Sequence, residues 1–119
     1  MILPDKEYIE YNGENRARLI LKGRWLYDSI THMTVQIFAI NYDYYFEMDK
    51  VDGVLEKGQE PELNEQGELY MIAWHDVKYF SFAVTTEFGG LTLDKAKTAA
   101  ENTIKQKIEW FDPITLDFN

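Results

Sequence analysis

Residues 89–112 read GGLTLDKAKTAAENTIKQKIEWFD, and this stretch decides the fold class. Its two glycines favour a turn at the start. Thr92 is a favourable helix N-cap, and Asp94 suits the positive end of the helix dipole. Apolar residues then recur at steps of three and four, at Leu93, Ala96, Ala100, Ile104, Ile108 and Phe111. We therefore predict a helix over residues 93–110 that ends before Pro113 and, because two of these residues are alanines, lies close on a sheet.

Alternating patterns upstream of this helix predict the strands of the sheet. Residues 16–25 alternate strictly, with one set of side chains apolar and the other mostly basic. The apolar set is Ala17, Leu19, Leu21 and Trp25, and the basic set is Arg16, Arg18, Lys22 and Arg24. Residues 7–11 are predicted as a short edge strand, and residues 68–75 and 79–88 as an aromatic-rich hairpin that Gly89-Gly90 ends.

Residues 33–49 contain two alternating patterns in opposite phase. The first apolar set is Met33, Val35, Ile37 and Ala39, and the second is Tyr42, Tyr44, Phe46 and Met48. A one-residue slip moves side chains to the other face of a strand, so a bulge near residues 40–42 would return both sets to the core. The alternatives are one bulged strand, which we favour, and a hairpin.

Together these elements predict an α+β fold, with a mostly antiparallel sheet of four to six strands and one C-terminal helix packed on one face. The 119 residues fit a single domain, 1–119, and 45% of them are hydrophobic, enough for one core. The N-terminus does not resemble a signal peptide, and no apolar run is long enough to span a membrane. The chain has no cysteine, which favours a reducing compartment, and we expect it in the cytoplasm.

Few residues are candidates for catalysis or metal binding. The histidines are His32 and His75, and the serines are Ser29 and Ser81, none in a nucleophile motif. The glycine pair before the helix lacks the spacing and the lysine of a phosphate-binding loop. We therefore expect no catalytic residues, no metal site and no cofactor, and we lean against enzymatic activity.

The charge distribution favours a protein partner with a basic surface. The net charge is −9, which disfavours polyanions such as nucleic acid and anionic membranes. Ten acidic residues lie between Asp43 and Asp76, and with the three lysines up to Lys78 the charge of this region is −7. The same region is rich in tyrosine, which is enriched in interfaces. The predicted binding residues are Tyr42, Tyr44, Tyr45, Glu60, Glu62, Glu65, Glu68 and Tyr70.

These observations predict a small acidic protein that binds another protein without catalysis, such as an inhibitor or immunity-type antagonist from a bacterium or phage. One alternative is a binder of single-stranded nucleic acid or nucleotide through Arg16, Arg18, Lys22 and Arg24. Against this alternative, we expect these cations to form cross-strand charge pairs with acids such as Asp43, Glu47 and Asp49. The other alternative is an enzyme without a recognisable motif. The sequence leaves the oligomeric state open.

Overall fold

The structure is a computed structural model that describes residues 9–12, 15–77, 80 and 84–112, with only the backbone for 9–12 and 15. It confirms an α+β fold with an antiparallel sheet. The elements in chain order are β1 (Ile9–Asn12), β2 (Asn15–Tyr27), β3 (Thr31–Ile40), α1 (Tyr44–Asp52), β4 (Leu69–Ala73), β5 (Thr86–Gly90), α2 (Leu93–Ile104) and β6 (Glu109–Phe111). The strand order is β1-β2-β3-β4-β5, and β6 also pairs with β2.

The core lies on both faces of the sheet, with β3 at its centre. All residues from Val35 to Ile40 are buried, so the predicted one-sided alternation of this strand was incomplete. The first core cluster comprises Ala17, Phe38, Ile40, Leu69, Met71, Ala73 and Phe80. The second core cluster lies beneath α2 and comprises Val35, Ile37, Ile72, Ala96, Ala100 and Ile108. A strand covered on both faces has a continuous apolar run rather than alternation.

The close approach of α2 to the sheet confirms the reasoning from its alanines. Ala96 and Ala100 are completely buried, and a Cβ added at Gly89 of β5 would lie 2.8 Å from the Cβ of Ala96. The glycine pair therefore belongs to β5, where it makes room for the helix, rather than ending the strand before it.

The helix is shorter than predicted, because Ile104 is its last residue and the prediction extended it to 110. Lys105 adopts a left-handed conformation (φ 57°), which ends the helical hydrogen bonding. The side chain of Gln106 then bonds both backbone groups of Leu26, and β6 pairs with residues 22–24 of β2. Residues 109–111 therefore pair with the open edge of β2, although their apolar spacing also suits a continued helix.

Because of a β-bulge, the apolar side chains of β2 do not all lie on the one face that was predicted. The register with β3 shifts between Leu19 and Leu21, which leaves Ile20 as an extra residue. Leu19 consequently packs against the first core cluster, whereas Leu21 and Trp25 pack against the second. The four apolar residues assigned to one face are divided between two.

Neither prediction for residues 33–49 was right, because β3 ends at Ile40 and Tyr44–Asp52 form helix α1. The side chain of Asp43 accepts a hydrogen bond from the Phe46 N–H (3.1 Å), and Gly53 has a φ of 73° at the C-terminal end. These two caps satisfy terminal backbone groups and outweigh the short alternating pattern. The fold therefore has a second helix beside the predicted C-terminal one.

The remaining predicted strands are only partly confirmed, because residues 80, 84 and 85 of the predicted strand 79–88 are not in a strand and β5 begins at Thr86. β1 pairs antiparallel with β2, and β4 pairs antiparallel with β5. Residues 7, 8, 78, 79 and 81–83 of the predicted strands and their turn lie outside the described residues. Within the described ranges, no helix is long and apolar enough to cross a membrane.

Candidate functional site

Three of the four basic residues of β2 form ion pairs, and the four do not share one face. Arg18 donates from Nε and Nη2 to the two carboxylate oxygens of Glu68, at 3.0 and 3.1 Å. Lys22 lies 3.4 Å from Asp76, and Arg24 lies 2.7 Å from Glu109. Cross-strand pairing was expected, but with other acids.

The bulge at Ile20 also changes where these cations point. Adjacent residues of a strand face opposite sides, so Arg18 lies on the α2 side and Lys22 and Arg24 lie on the other. Arg16 is exposed, and it faces the same side as Arg18 because the two residues are two positions apart in the strand, before the bulge. The alternative nucleic-acid face is therefore divided between the two sides of the sheet.

The predicted tyrosine and glutamate set is only partly at the surface. Tyr42 packs against the first core cluster and Tyr70 against the second. Glu68 is 1% exposed and serves the ion pair with Arg18. Tyr44 is half-buried. The exposed members are Tyr45, Glu60, Glu62 and Glu65.

Helix α1 places large apolar side chains in solvent. None of its residues is buried, so it contributes nothing to either core cluster. Val51 is 78% exposed, and Tyr45, Met48 and Val54 are also exposed. Sequence reasoning missed Met48, Val51 and Val54 as surface residues, because it assigned Met48 to the core side of a strand and predicted no helix in this region. The caps Asp43 and Gly53 were the signal that would have revealed the helix.

The segment that carries these apolar side chains is strongly acidic. Residues 43–65 contain eight acids against Lys50 and Lys57, a net charge of −6. Among the described residues, no ion pair involves these eight acids, whereas Glu68 and Asp76 are both paired with β2. We call the exposed side chains of Tyr45, Met48, Val51 and Val54, with the acids of residues 43–65, the α1 surface.

Aromatic rings continue the α1 surface onto β5. The ring of Tyr45 lies 5.5 Å from that of Tyr44 and 5.9 Å from that of Phe88, edge to face in both cases. Burial raises the pKa of Tyr45, and the charges of Tyr44, Asp43 and Glu87 raise it further. Tyr45 is therefore a neutral phenol at physiological pH, in a negative field.

The histidines and serines do not assemble into a catalytic group. Ser29 and His32 are exposed at the β2–β3 hairpin, and His75 is exposed after β4. Ser81 lies outside the described residues. Across the part of the chain that the structure describes, no three His, Cys, Asp or Glu side chains are arranged to hold a metal ion.

Comparisons with protein-family models, with curated proteins and with solved structures each found no match to this chain. The chemistry of its surface is therefore the basis on which we assign a function.

Proposed function

We propose that this chain is a non-enzymatic binding protein that docks a basic surface of another protein on its α1 surface. One observation supports this most strongly. A helix with no buried residue carries three large exposed apolar side chains, with a fourth at Val54 just after it, inside a segment of charge −6. Exposed apolar groups rimmed by charge are typical of interaction sites.

The two kinds of residue have different roles in this proposal. The unpaired acids attract a basic partner and speed the encounter, an effect that salt weakens. Val51, Met48 and Tyr45 then lose their contact with water, which stabilises the complex. Occupying a basic site on another protein would make the chain an inhibitor or an immunity-type antagonist. We place its action in the cytoplasm, because a cysteine-free domain gains nothing from an oxidising compartment.

The apolar part of the proposal is tested with two matched substitutions. Val51→Asp places a charge on the α1 surface, whereas Ile30→Asp makes the same change at the β2–β3 turn, where Ile30 is 77% exposed. A partner captured from the source cells is purified, and its affinity for each variant is measured by calorimetry. Val51→Asp should weaken binding at least tenfold, about 1.4 kcal/mol, and Ile30→Asp should leave it unchanged. Equal effects of the two variants would refute docking on α1.

The electrostatic part is tested with a second matched pair. Glu62→Gln with Glu65→Gln removes two charges from the α1 surface, and Asp28→Asn with Asp94→Asn removes two charges elsewhere. The first double variant should slow association several-fold at low salt and lose that difference at high salt, because exposed charges are screened. If both pairs slow association equally, the location of the charge has no role.

A further inference from the structure

Three aromatic side chains form a corner where α1 approaches β5. Tyr44, Tyr45 and Phe88 meet with interplanar angles of 84° and 89°, so successive rings are nearly perpendicular. Tyr45 is 45% exposed and Phe88 is 40% exposed, which leaves part of both rings open to solvent. We call this group the aromatic corner.

One carboxylate, that of Asp43, lies beside the aromatic corner, because Asp43 directly precedes Tyr44 at the start of α1, and its hydrogen bonds come from neutral donors. Asp43 accepts from the backbone N–H groups of Phe46 and Glu62, at 3.1 and 2.9 Å. The other nearby acid, Glu87, lies on the opposite face of β5 from Phe88, where it accepts from the Trp74 indole N–H (3.1 Å) and from the hydroxyl of Thr103 in α2 (2.7 Å). Neither acid forms an ion pair with any described residue.

The negative charge at this corner is therefore held in place but not neutralised. The hydrogen bonds fix each carboxylate and leave its full charge. Burial raises the pKa of Tyr45, and the charges of Tyr44, Asp43 and Glu87 raise it further, so the phenol stays neutral in an anionic setting. An open aromatic face beside fixed negative charge attracts a cation.

Elsewhere the chain uses the same combination to hold one of its own arginines. The guanidinium carbon of Arg24 lies 5.5 Å from the centre of the Phe111 ring, and its Nη2 donates to Glu109 at 2.7 Å. That group joins an aromatic face, a carboxylate and a cation. The aromatic corner has the first two.

We propose that the aromatic corner binds a cationic side chain, arginine or lysine, that the partner inserts against Tyr45 and Phe88 near Asp43. This rests on the proposed function, and it names the chemical group by which the basic partner is anchored. Arginine and lysine share the positive charge but differ in shape and hydration, so the two are distinguished by experiment.

The test titrates the intact protein with N-acetyl-arginine methylamide, with the lysine analogue and with the uncharged citrulline analogue, followed by NMR of the aromatic resonances. We expect a saturable shift at Tyr45 and Phe88 with at least one of the cationic probes and none with citrulline. Tyr45→Leu and Phe88→Leu should each weaken binding of that probe about two- to fivefold, the range of an exposed cation–π contact. The matched control is Tyr27→Leu, which removes an exposed ring that meets Trp25 edge to face at 6.2 Å.

Several results would overturn the inference. These are an equal response to citrulline, an equal loss in the Tyr27 variant, or shifts confined to the acidic residues 54–65. Partner binding separates this inference from the proposed function. If Tyr45→Leu and Phe88→Leu bind the partner normally while Val51→Asp does not, the inference fails and the proposed function stands. If Val51→Asp binds the partner normally while arginine still saturates the corner, the proposed function fails alone.

Discussion

Replacing Arg18 by methionine should destabilise the protein by about 3 kcal/mol, the lower end of the range for breaking a buried ion pair. The reason is the carboxylate left behind. Glu68 is 1% exposed and accepts two hydrogen bonds from Arg18, whose side chain is 20% exposed. Because water reaches Arg18 but hardly reaches Glu68, the loss falls mainly on the glutamate.

Two comparisons distinguish the cost of leaving the Glu68 carboxylate buried from the cost of removing any arginine. Arg24 also donates two hydrogen bonds to a glutamate, Glu109, but that glutamate is 59% exposed. Arg24→Met should cost less than about 1 kcal/mol, as exposed pairs do. The double variant Arg18→Met with Glu68→Leu removes the buried charge as well, so it should recover about half or more of the loss.

Urea unfolding at neutral pH, followed by tryptophan fluorescence, measures the free energies of unfolding of the wild type, of these three variants and of Glu68→Leu, which completes the double-mutant cycle. The interaction energy from the double-mutant cycle should be about 2 kcal/mol. If Arg24→Met costs as much as Arg18→Met, burial does not set the strength of these pairs. If the double variant is no more stable than Arg18→Met alone, the buried carboxylate of Glu68 is not the source of the loss.

Three further predictions concern the turns and the helix packing. Gly89→Ala should lower the free energy of unfolding in urea by about 1–3 kcal/mol, because its Cβ would lie 2.8 Å from that of Ala96. As a control, substitution of the exposed Thr98 in Thr98→Ala should lower it by under about 0.5 kcal/mol. Ser29→Gly should raise the free energy of unfolding by roughly 0.5 kcal/mol, because residue 29 has a φ of 59° that glycine adopts without strain, and a gain of the same size in Ser29→Ala would contradict this. A hydrogen bond from the Ile108 N–H, with help from Trp110 and Lys107, outweighs burial and lowers the pKa of Glu101. The wild type should therefore have a larger free energy of unfolding than Glu101→Gln. The full difference should be present above the ordinary pKa of glutamate and be lost as the pH falls through the lowered pKa of Glu101. An equal difference at neutral pH and at pH about 2 would exclude this linkage.

The position of α2 was predictable because its signals are local. Thr92, Asp94 and the regular apolar spacing all act within one or two turns of the helix, and the small size of Ala96 and Ala100 predicts a close approach. The antiparallel sheet was predictable for a similar reason, since short alternating segments separated by turn residues favour neighbouring strands.

The acidic character of residues 43–65 also follows from the sequence, but the surface that they form does not. Sequence reasoning included Glu68 and Tyr70 in the binding set, and the structure buries the first and packs the second against the core. It left out Val51 and Val54, because it did not predict helix α1. Exposure depends on what packs against a segment, and nothing in the described part of the chain covers α1 enough to bury a residue.

The sequence by itself determined the fold class, the C-terminal helix and the charge of the chain, because each depends on local propensity or on composition. Tertiary structure alone decided which side of the sheet each residue of β2 faces. The bulge at Ile20 moves Lys22 and Arg24 to the side of the sheet opposite Arg18, and no residue type requires a bulge there. Gln36 shows the same limit: it is polar, yet it is completely buried because Val77 and Asp76 satisfy its amide from 40 or 41 residues away. Register and long-range hydrogen bonding are settled by packing partners distant in sequence, which periodicity within a segment does not encode.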